Sequence, residues 1–152
     1  MGRTFLRAVM ILLTGVAVGL FVNLWSPRAI PLITPPRPVV LDRQIVPLDE
    51  ARQLLGIAVF LDARRAPDYE AGHIAGAFNL PVEDFEAHFA AVAGLLSPTT
   101  PIIVYCDGVD CDLSHRLLAR LNALGYRQAR LLVNGWTVWR AAGLPTTKGA
   151  AP

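Results

Sequence analysis

Val104-Tyr105-Cys106-Asp107-Gly108-Val109-Asp110-Cys111-Asp112-Leu113-Ser114 is the stretch on which the fold turns. The apolar run Ile102 to Tyr105 leads into it with the length of a buried strand. Leu113, Leu117, Leu121 and Leu124 lead out of it with the spacing of a helix core stripe. A strand therefore runs through a tight polar loop into a helix. At such a junction successive backbone N–H groups and the helix N-terminus converge, which suits an anion or a sulfur that must carry negative charge. Cys106 opens the loop, and Cys111, the chain's other cysteine, lies within it. Paired cysteines are often no more than small buried hydrophobes. Here Asp107, Gly108, Asp110 and Asp112 make the surroundings a polar turn instead.

Outward from this loop the pattern alternates. Downstream, Ala129 to Val133 reads as a strand and Gly135 to Ala142 as a helix carrying Trp136 and Trp139. Upstream, Leu48 to Leu55 reads as a short helix stopped by Gly56, and Ile57 to Leu61 as a strand ending in Asp62-Ala63-Arg64. Pro67 to Gly72 is a polar turn or single helical turn, followed by the short apolar stretch Ile74 to Leu80. Glu83 to Leu96 is helical, with Phe85, Phe89, Val92 and Leu96 on one face. Asp112 is expected to cap the helix that Gly125 ends. Strands that are apolar almost throughout, separated by helices, predict an α/β fold: a doubly wound parallel sheet with helices on both faces. In such a sheet chemistry collects beyond the carboxyl ends of the strands. Asp62 and Arg64, Cys106, and Asn134 follow three of them.

The 152 residues leave room for one domain and an appendage. Residues 1–7 form a basic tail with Arg3 and Arg7. Residues 8–25 carry no charge and at ~1.5 Å per residue reach about 27 Å, near the roughly 30 Å of a bilayer's hydrocarbon. This predicts a single transmembrane helix. A cleaved signal peptide is the competing reading. The run exceeds the ~7–15 apolar residues of a signal core, and Asn23-Leu24-Trp25-Ser26-Pro27 lacks a small-x-small cleavage site. Trp25 suits the membrane interface, and Gly15 and Gly19 form one small-residue pair for helix contact. Residues 26–40 hold Pro27, Pro31, Pro35, Pro36 and Pro38 and form an extended linker. The domain spans residues 41–147, and 148–152 is a tail. Arg3, Arg7 and the α-amino group outweigh Arg28 and Arg37, which leans the soluble domain to the outer side, in a bacterium the oxidising periplasm.

The formal charge of +2 misleads. The first 40 residues hold four arginines and no acid, so 10 basic residues face all 12 acidic ones from Leu41 onward, a net of −2. Such a domain offers no broad phosphate-binding face, and nucleic acid is not an expected partner. Two cysteines are too few for a disulfide scaffold.

From about Leu41 to Thr147 the chain resembles a rhodanese-like domain, the fold of the single-domain sulfurtransferases. Four stretches carry the likeness. They are Leu61-Asp62-Ala63-Arg64; Tyr69-Glu70-Ala71-Gly72-His73-Ile74-Ala75-Gly76-Ala77 with Asn79 and Pro81; Val104-Tyr105-Cys106; and Asn134-Gly135-Trp136 with Trp139 and Ala142-Gly143-Leu144-Pro145. The resemblance implies a doubly wound domain whose cysteine, here Cys106, accepts a sulfane sulfur as a persulfide and passes it to a thiol or cyanide. It implies that Asp62 and Arg64 brace the loop or meet substrate, and that His73 is structural. The active-site loop would be Asp107, Gly108, Val109, Asp110, Cys111 and Asp112. This loop departs from the usual C-x-x-G-x-R, since no basic residue lies between Cys106 and Ser114 and three aspartates do. A thiosulfate dianion would meet no arginine from the loop itself.

A free cysteine has a pKa of about 8.5, which amides and a helix N-terminus lower by one to several units. Solvent-facing carboxylates ~4 Å or more away oppose this by only about 1 kcal/mol each. A thiolate-competent Cys106 at neutral pH is the expectation. Cys111 is either a redox partner for Cys106 or a structural thiol at the helix start. His88 and His115 do not complete a metal ligand set, and no cofactor is implied. Two classes of function follow. One is a membrane-anchored sulfurtransferase with a small sulfur donor and a thiol acceptor. The other is a module that switches between dithiol and disulfide or docks a membrane protein partner.

Overall fold

A computed structural model describes residues 2–26, 42–108 and 111–150 of the chain. The expected linker falls almost wholly outside these residues, as do Leu41 and, in the loop, Val109 and Asp110. The chain divides into two units, residues 1–36 and 37–152.

The described residues of the first unit hold one helix, α1 (Gly2–Trp25), with no buried residue. Its 24 residues have a mean hydropathy of 2.3 and are long and apolar enough to cross a membrane. The helix begins well before residue 8, taking in Arg3 and Arg7. Arginine is a good helix former whose long stem lets its charge reach an interface.

The second unit is the expected α/β domain. After a 3₁₀ turn at Asp42–Gln44 come α2 (Leu48–Gln53), β1 (Val59–Asp62), α3 (Ala66–Ala71), β2 (His73–Ile74), β3 (Phe78–Asn79) and α4 (Phe85–Ala93). They are followed by β4 (Ile102–Tyr105), α5 (Asp112–Ala123), β5 (Ala129–Leu132), α6 (Gly135–Ala141) and β6 (Thr146–Thr147). The main sheet has the order β3-β1-β4-β5, with every pair parallel. Ile45 adds a parallel bridge to Leu131 beyond β5.

Because strand side chains alternate, one face of this sheet carries Leu61, Ile102, Val104 and Leu131, which pack with Val92 of α4 and Leu117, Leu118 and Leu121 of α5. The other face carries Phe60, Ile103, Tyr105 and Leu132 against Ala51 of α2 and Trp136 and Trp139 of α6. Burial of each such aliphatic side chain contributes roughly 1.5–3 kcal/mol, which holds the strands flush.

Three local expectations change. Ile57 lies in the turn before β1 and is exposed, because β1 starts only where Val59 can pair with Ile102. The α5 stripe closes through Leu118, while Leu124 is exposed beyond the last turn. The N-cap of α5 is Cys111, whose side chain makes no capping hydrogen bond, and Asp112 is the first helical residue. A small antiparallel pair, β2 with β6, joins His73 to Thr147 and Ile74 to Thr146, and β6 is too short and too exposed to leave a sequence signal.

Candidate active site

From β1 the chain returns to β3 on one side of β1. It then crosses to β4 on the other, so the winding direction reverses between β1 and β4. Ligand crevices of doubly wound sheets open at this point, beyond the strands' carboxyl ends. Asp62 and Tyr105 are register partners there, with Asn79 and Leu132 at the outer ends of the same row. Cys106 is the next residue of the β4 segment. Its side chain falls on the α5 face of the sheet and packs with Leu117 and Leu118.

The loop that follows curls back over this cysteine. Cys106 and Cys111 are joined by a disulfide with a Cα–Cα separation of 6.4 Å. Since Cys111 is the N-cap of α5, the Cys106 sulfur lies at the N-terminus of a helix of 12 residues. The helix dipole there favours negative charge. Ser114, one turn into α5 and 2% exposed, places its hydroxyl 3.0 Å from Cys106 Sγ and 3.4 Å from the Cys111 carbonyl oxygen. A disulfide sulfur has no proton, so the hydroxyl donates. Ser114 was invisible in the sequence as a site residue, because a serine in the first turn of a helix reads as ordinary solvation. Only the curl of the loop turns it inward. His115 directs Nδ1 to the same Cys111 oxygen at 3.0 Å and acts in capping.

A second set of ties comes from the residues after β5. Asn134 has a left-handed backbone, φ 52°, and its Oδ1 accepts the Gly108 N–H at 2.8 Å. The Trp136 N–H donates to the Cys106 carbonyl at 3.0 Å. The Thr137 hydroxyl donates to the Asp107 carboxylate. Between them Gly135 approaches so closely that an added Cβ would stand 2.5 Å from Tyr105 Cβ, which only glycine avoids. Asn134-Gly135-Trp136 reads from the sequence as turn geometry and packing, which it is. Its hold on the cysteine loop is the part that sequence reasoning missed.

Asp62 and Arg64 meet each other. Arg64 Nε lies 3.0 Å from Asp62 Oδ1, and Nη2 lies 2.6 Å from Oδ2 and 2.8 Å from the Gly72 carbonyl oxygen. The guanidinium also stacks on Trp136 at 4.8 Å. Asp62 is fully buried and Arg64 is 7% exposed. Burial alone would lower the Arg64 pKa, but the hydrogen bond and charge of Asp62 outweigh it and hold the pKa above the usual value. Burial, reinforced by the negative Asp62, pushes the Tyr105 phenol well up, so it stays neutral and accepts the Ile74 N–H at 3.2 Å. The pair braces the row of strand ends, one strand away from the sulfur.

His73 is buried, stacked on Tyr69 with ring centroids 3.7 Å apart, and its Nδ1 contacts the Tyr69 carbonyl oxygen at 2.9 Å. The Tyr69 hydroxyl donates to the Ala77 carbonyl at 2.6 Å, and burial pushes its pKa up to about 12. Both rings are framework. His88 contacts the Asp84 carbonyl of its own helix at 3.0 Å. Arg120 and Arg130 pair with Glu86 and Glu50, and the Glu50 pKa is lowered by its hydrogen bond to Arg130.

Comparison with known proteins places this geometry. Residues 47–142 match the family model of the rhodanese-like domain. An HTH-type transcriptional regulator of Mycobacterium tuberculosis is 32% identical over 65% of this chain and 42% of its own length. The chain thus spans less than two thirds of the first curated relatives it matches. Among solved structures, the Alr3790 protein of Anabaena is 28% identical with a TM-score of 0.55, covering 65% of this chain and 88% of that one. A thiosulfate sulfurtransferase of Pseudomonas aeruginosa is 30% identical with a TM-score of 0.55, covering 66% of this chain and 19% of that one. With a match across most of its folded unit and a cysteine at the switch point of the sheet, the chain belongs to the rhodanese-like domain family.

Proposed function

We propose that this protein is a membrane-anchored sulfurtransferase in which Cys106 takes a sulfane sulfur from a small donor as a persulfide and hands it to a thiol. One observation carries the reading. The Cys106 sulfur sits at the carboxyl end of β4, at the N-terminus of α5, with the Ser114 hydroxyl 3.0 Å away. A thiolate there gains a hydrogen bond and the helix dipole, which favours nucleophilic attack on a donor's outer sulfur. Residues 8–25 of α1 supply the anchor, and the domain works on the outer, periplasmic side, with a membrane protein as the natural neighbour and no role for nucleic acid.

The disulfide favours a second reading, a Cys106/Cys111 thiol–disulfide couple that carries no sulfur. Sulfur transfer requires Cys106, whereas the couple requires both cysteines. Intact mass separates them: the reduced full chain in detergent is exposed to thiosulfate or inorganic polysulfide. A sulfur gained by Cys111→Ser and lost in Cys106→Ser supports the transferase. No sulfur in any variant, with loss of two hydrogens on mild oxidation of the wild type alone, overturns it.

A further inference from the structure

We propose that Cys111 is the resolving thiol of the reaction, so that the sulfane sulfur leaves this domain as hydrosulfide and the loop closes to the Cys106–Cys111 disulfide. The inference rests on the reading of Cys106 as a persulfide carrier and replaces the external thiol acceptor of that reading by Cys111, whose attack falls on the inner sulfur.

Three features point this way. First, the two cysteines already stand in the closed form. The two Cα atoms lie 6.4 Å apart, within the roughly 4.4–6.8 Å range of disulfides, and the sulfurs are bonded. Second, Cys106 is 1% exposed in this form while Cys111 is half-buried. The inner sulfur of a Cys106 persulfide is thus adjacent to Cys111, a thiol already in place to attack it. Third, Asp107 and Asp112 are the charged residues of the described part of the loop, and the nearby Arg64 is bound to Asp62 and Gly72. These carboxylates, of which Asp112 is paired with Arg116 at 3.9 Å, oppose the approach of any anion, and an external anionic acceptor would have to overcome them a second time after the donor. An acceptor within the loop needs no approach at all, and an intramolecular thiol of this kind competes with effective molarities far above any free thiol.

The step balances. The Cys111 thiolate attacks Cys106 Sγ of the protonated persulfide, and a bond forms between the two cysteine sulfurs. The bond from Cys106 Sγ to the sulfane sulfur breaks, and its electron pair and the persulfide proton leave together as hydrosulfide. The sulfane sulfur is reduced by two electrons, and the two cysteines are oxidised by two. Ser114 then donates to the Cys106 sulfur as it does in the structure. A further turnover requires an external dithiol that opens the disulfide and takes up its electrons. The chain would then act as a sulfane-sulfur reductase coupled to a dithiol partner.

The test uses the full chain in detergent, reduced, freed of reductant and kept without oxygen, then mixed with inorganic polysulfide, desalted and weighed over time. The proposal expects wild type to emerge two hydrogens lighter with no sulfur retained. Cys111→Ser should keep one extra sulfur on Cys106 and lose it on the order of 100-fold more slowly. A wild-type persulfide that persists as long as that of Cys111→Ser, with Cys111 still alkylatable, overturns the proposal and leaves the persulfide reading standing. A wild-type disulfide with no sulfur ever held by Cys111→Ser, or no reaction in either chain, overturns both. The sulfur retained by Cys111→Ser is itself the sign of a folded site. Should that variant aggregate, release of hydrosulfide from desalted wild-type persulfide, quenched early and then resumed, decides on its own.

Discussion

Two strands end side by side at the centre of the sheet, and the chain does opposite things with them. After β1, Asp62 and Arg64 form a buried ion pair with four further hydrogen bonds among Asp62, Arg64, Gly72 and Asn79. After β4, the chain enters a loop that is tied to the framework at Gly108, Asp107 and the Cys106 carbonyl, and closes on itself through a disulfide. The first corner spends its charges on one another. The second holds its sulfur beside one hydroxyl and bonded to a second sulfur. Similar positions on the sheet thus divide into a corner closed on itself and one that, in the proposed function, carries the chemistry.

The sharpest way to break this division is Arg64→Ala. Removing one partner of a buried pair strands the Asp62 carboxylate, and such losses run to about 3–5 kcal/mol. Thermal unfolding of the detergent-solubilised chain, followed through Trp136 and Trp139, should show a large drop in midpoint. Sulfur uptake by the molecules that remain folded should persist. Unchanged stability with uptake abolished would make Arg64 a binding group and erase the contrast.

A smaller effect is expected on the loop. The disulfide has a sequence separation of only 5, so the chain entropy it removes from the unfolded state is worth about 2 kcal/mol. Reduction, or Cys111→Ser, should lower the unfolding midpoint less than Arg64→Ala does. A loss as large as that of Arg64→Ala would mean that the closed loop is framework too.

Much of this contrast could be read from the residues, for identifiable reasons. The parallel sheet was legible because Ile102 to Tyr105 and Phe60 to Leu61 are buried on both faces and so carry no polar alternation. The loop was legible because Cys106 stands between a strand and a leucine stripe. The mutual satisfaction of Asp62 and Arg64 was not, since a D-x-R spacing is equally compatible with a pair that closes on itself and one that faces a ligand. The roles of Ser114 and of Asn134, which the sequence places only at the end of a strand, were hidden for a related reason. Their roles depend on long-range closure, with Asn134 reaching Gly108 across 26 positions of sequence, and no local pattern records that. The helix cap was misassigned because aspartate is the better N-cap by propensity, whereas the backbone turns helical one residue earlier, with Cys111 extended and Asp112 already in the helix.

Asn134 ties the loop to the segment that carries Trp136 over Arg64, and gives the finest probe. Its left-handed φ of 52° is tolerated by asparagine and costs glycine nothing. Asn134→Gly therefore removes the side-chain tie to Gly108 without straining the turn that Gly135 and Trp136 require. The loss of one partly exposed hydrogen bond should cost about 1 kcal/mol or less, a shift in midpoint of only a few degrees. The consequence should appear elsewhere. With Gly108 released, the reduced loop samples more open states, so Cys106 alkylates faster than in the reduced parent while the fold is nearly unchanged. An equal alkylation rate in the two chains would show that the framework does not hold the loop through this bond, and that the contacts of the Cys106 carbonyl to Trp136 and of Asp107 to Thr137 suffice to set the sulfur's position.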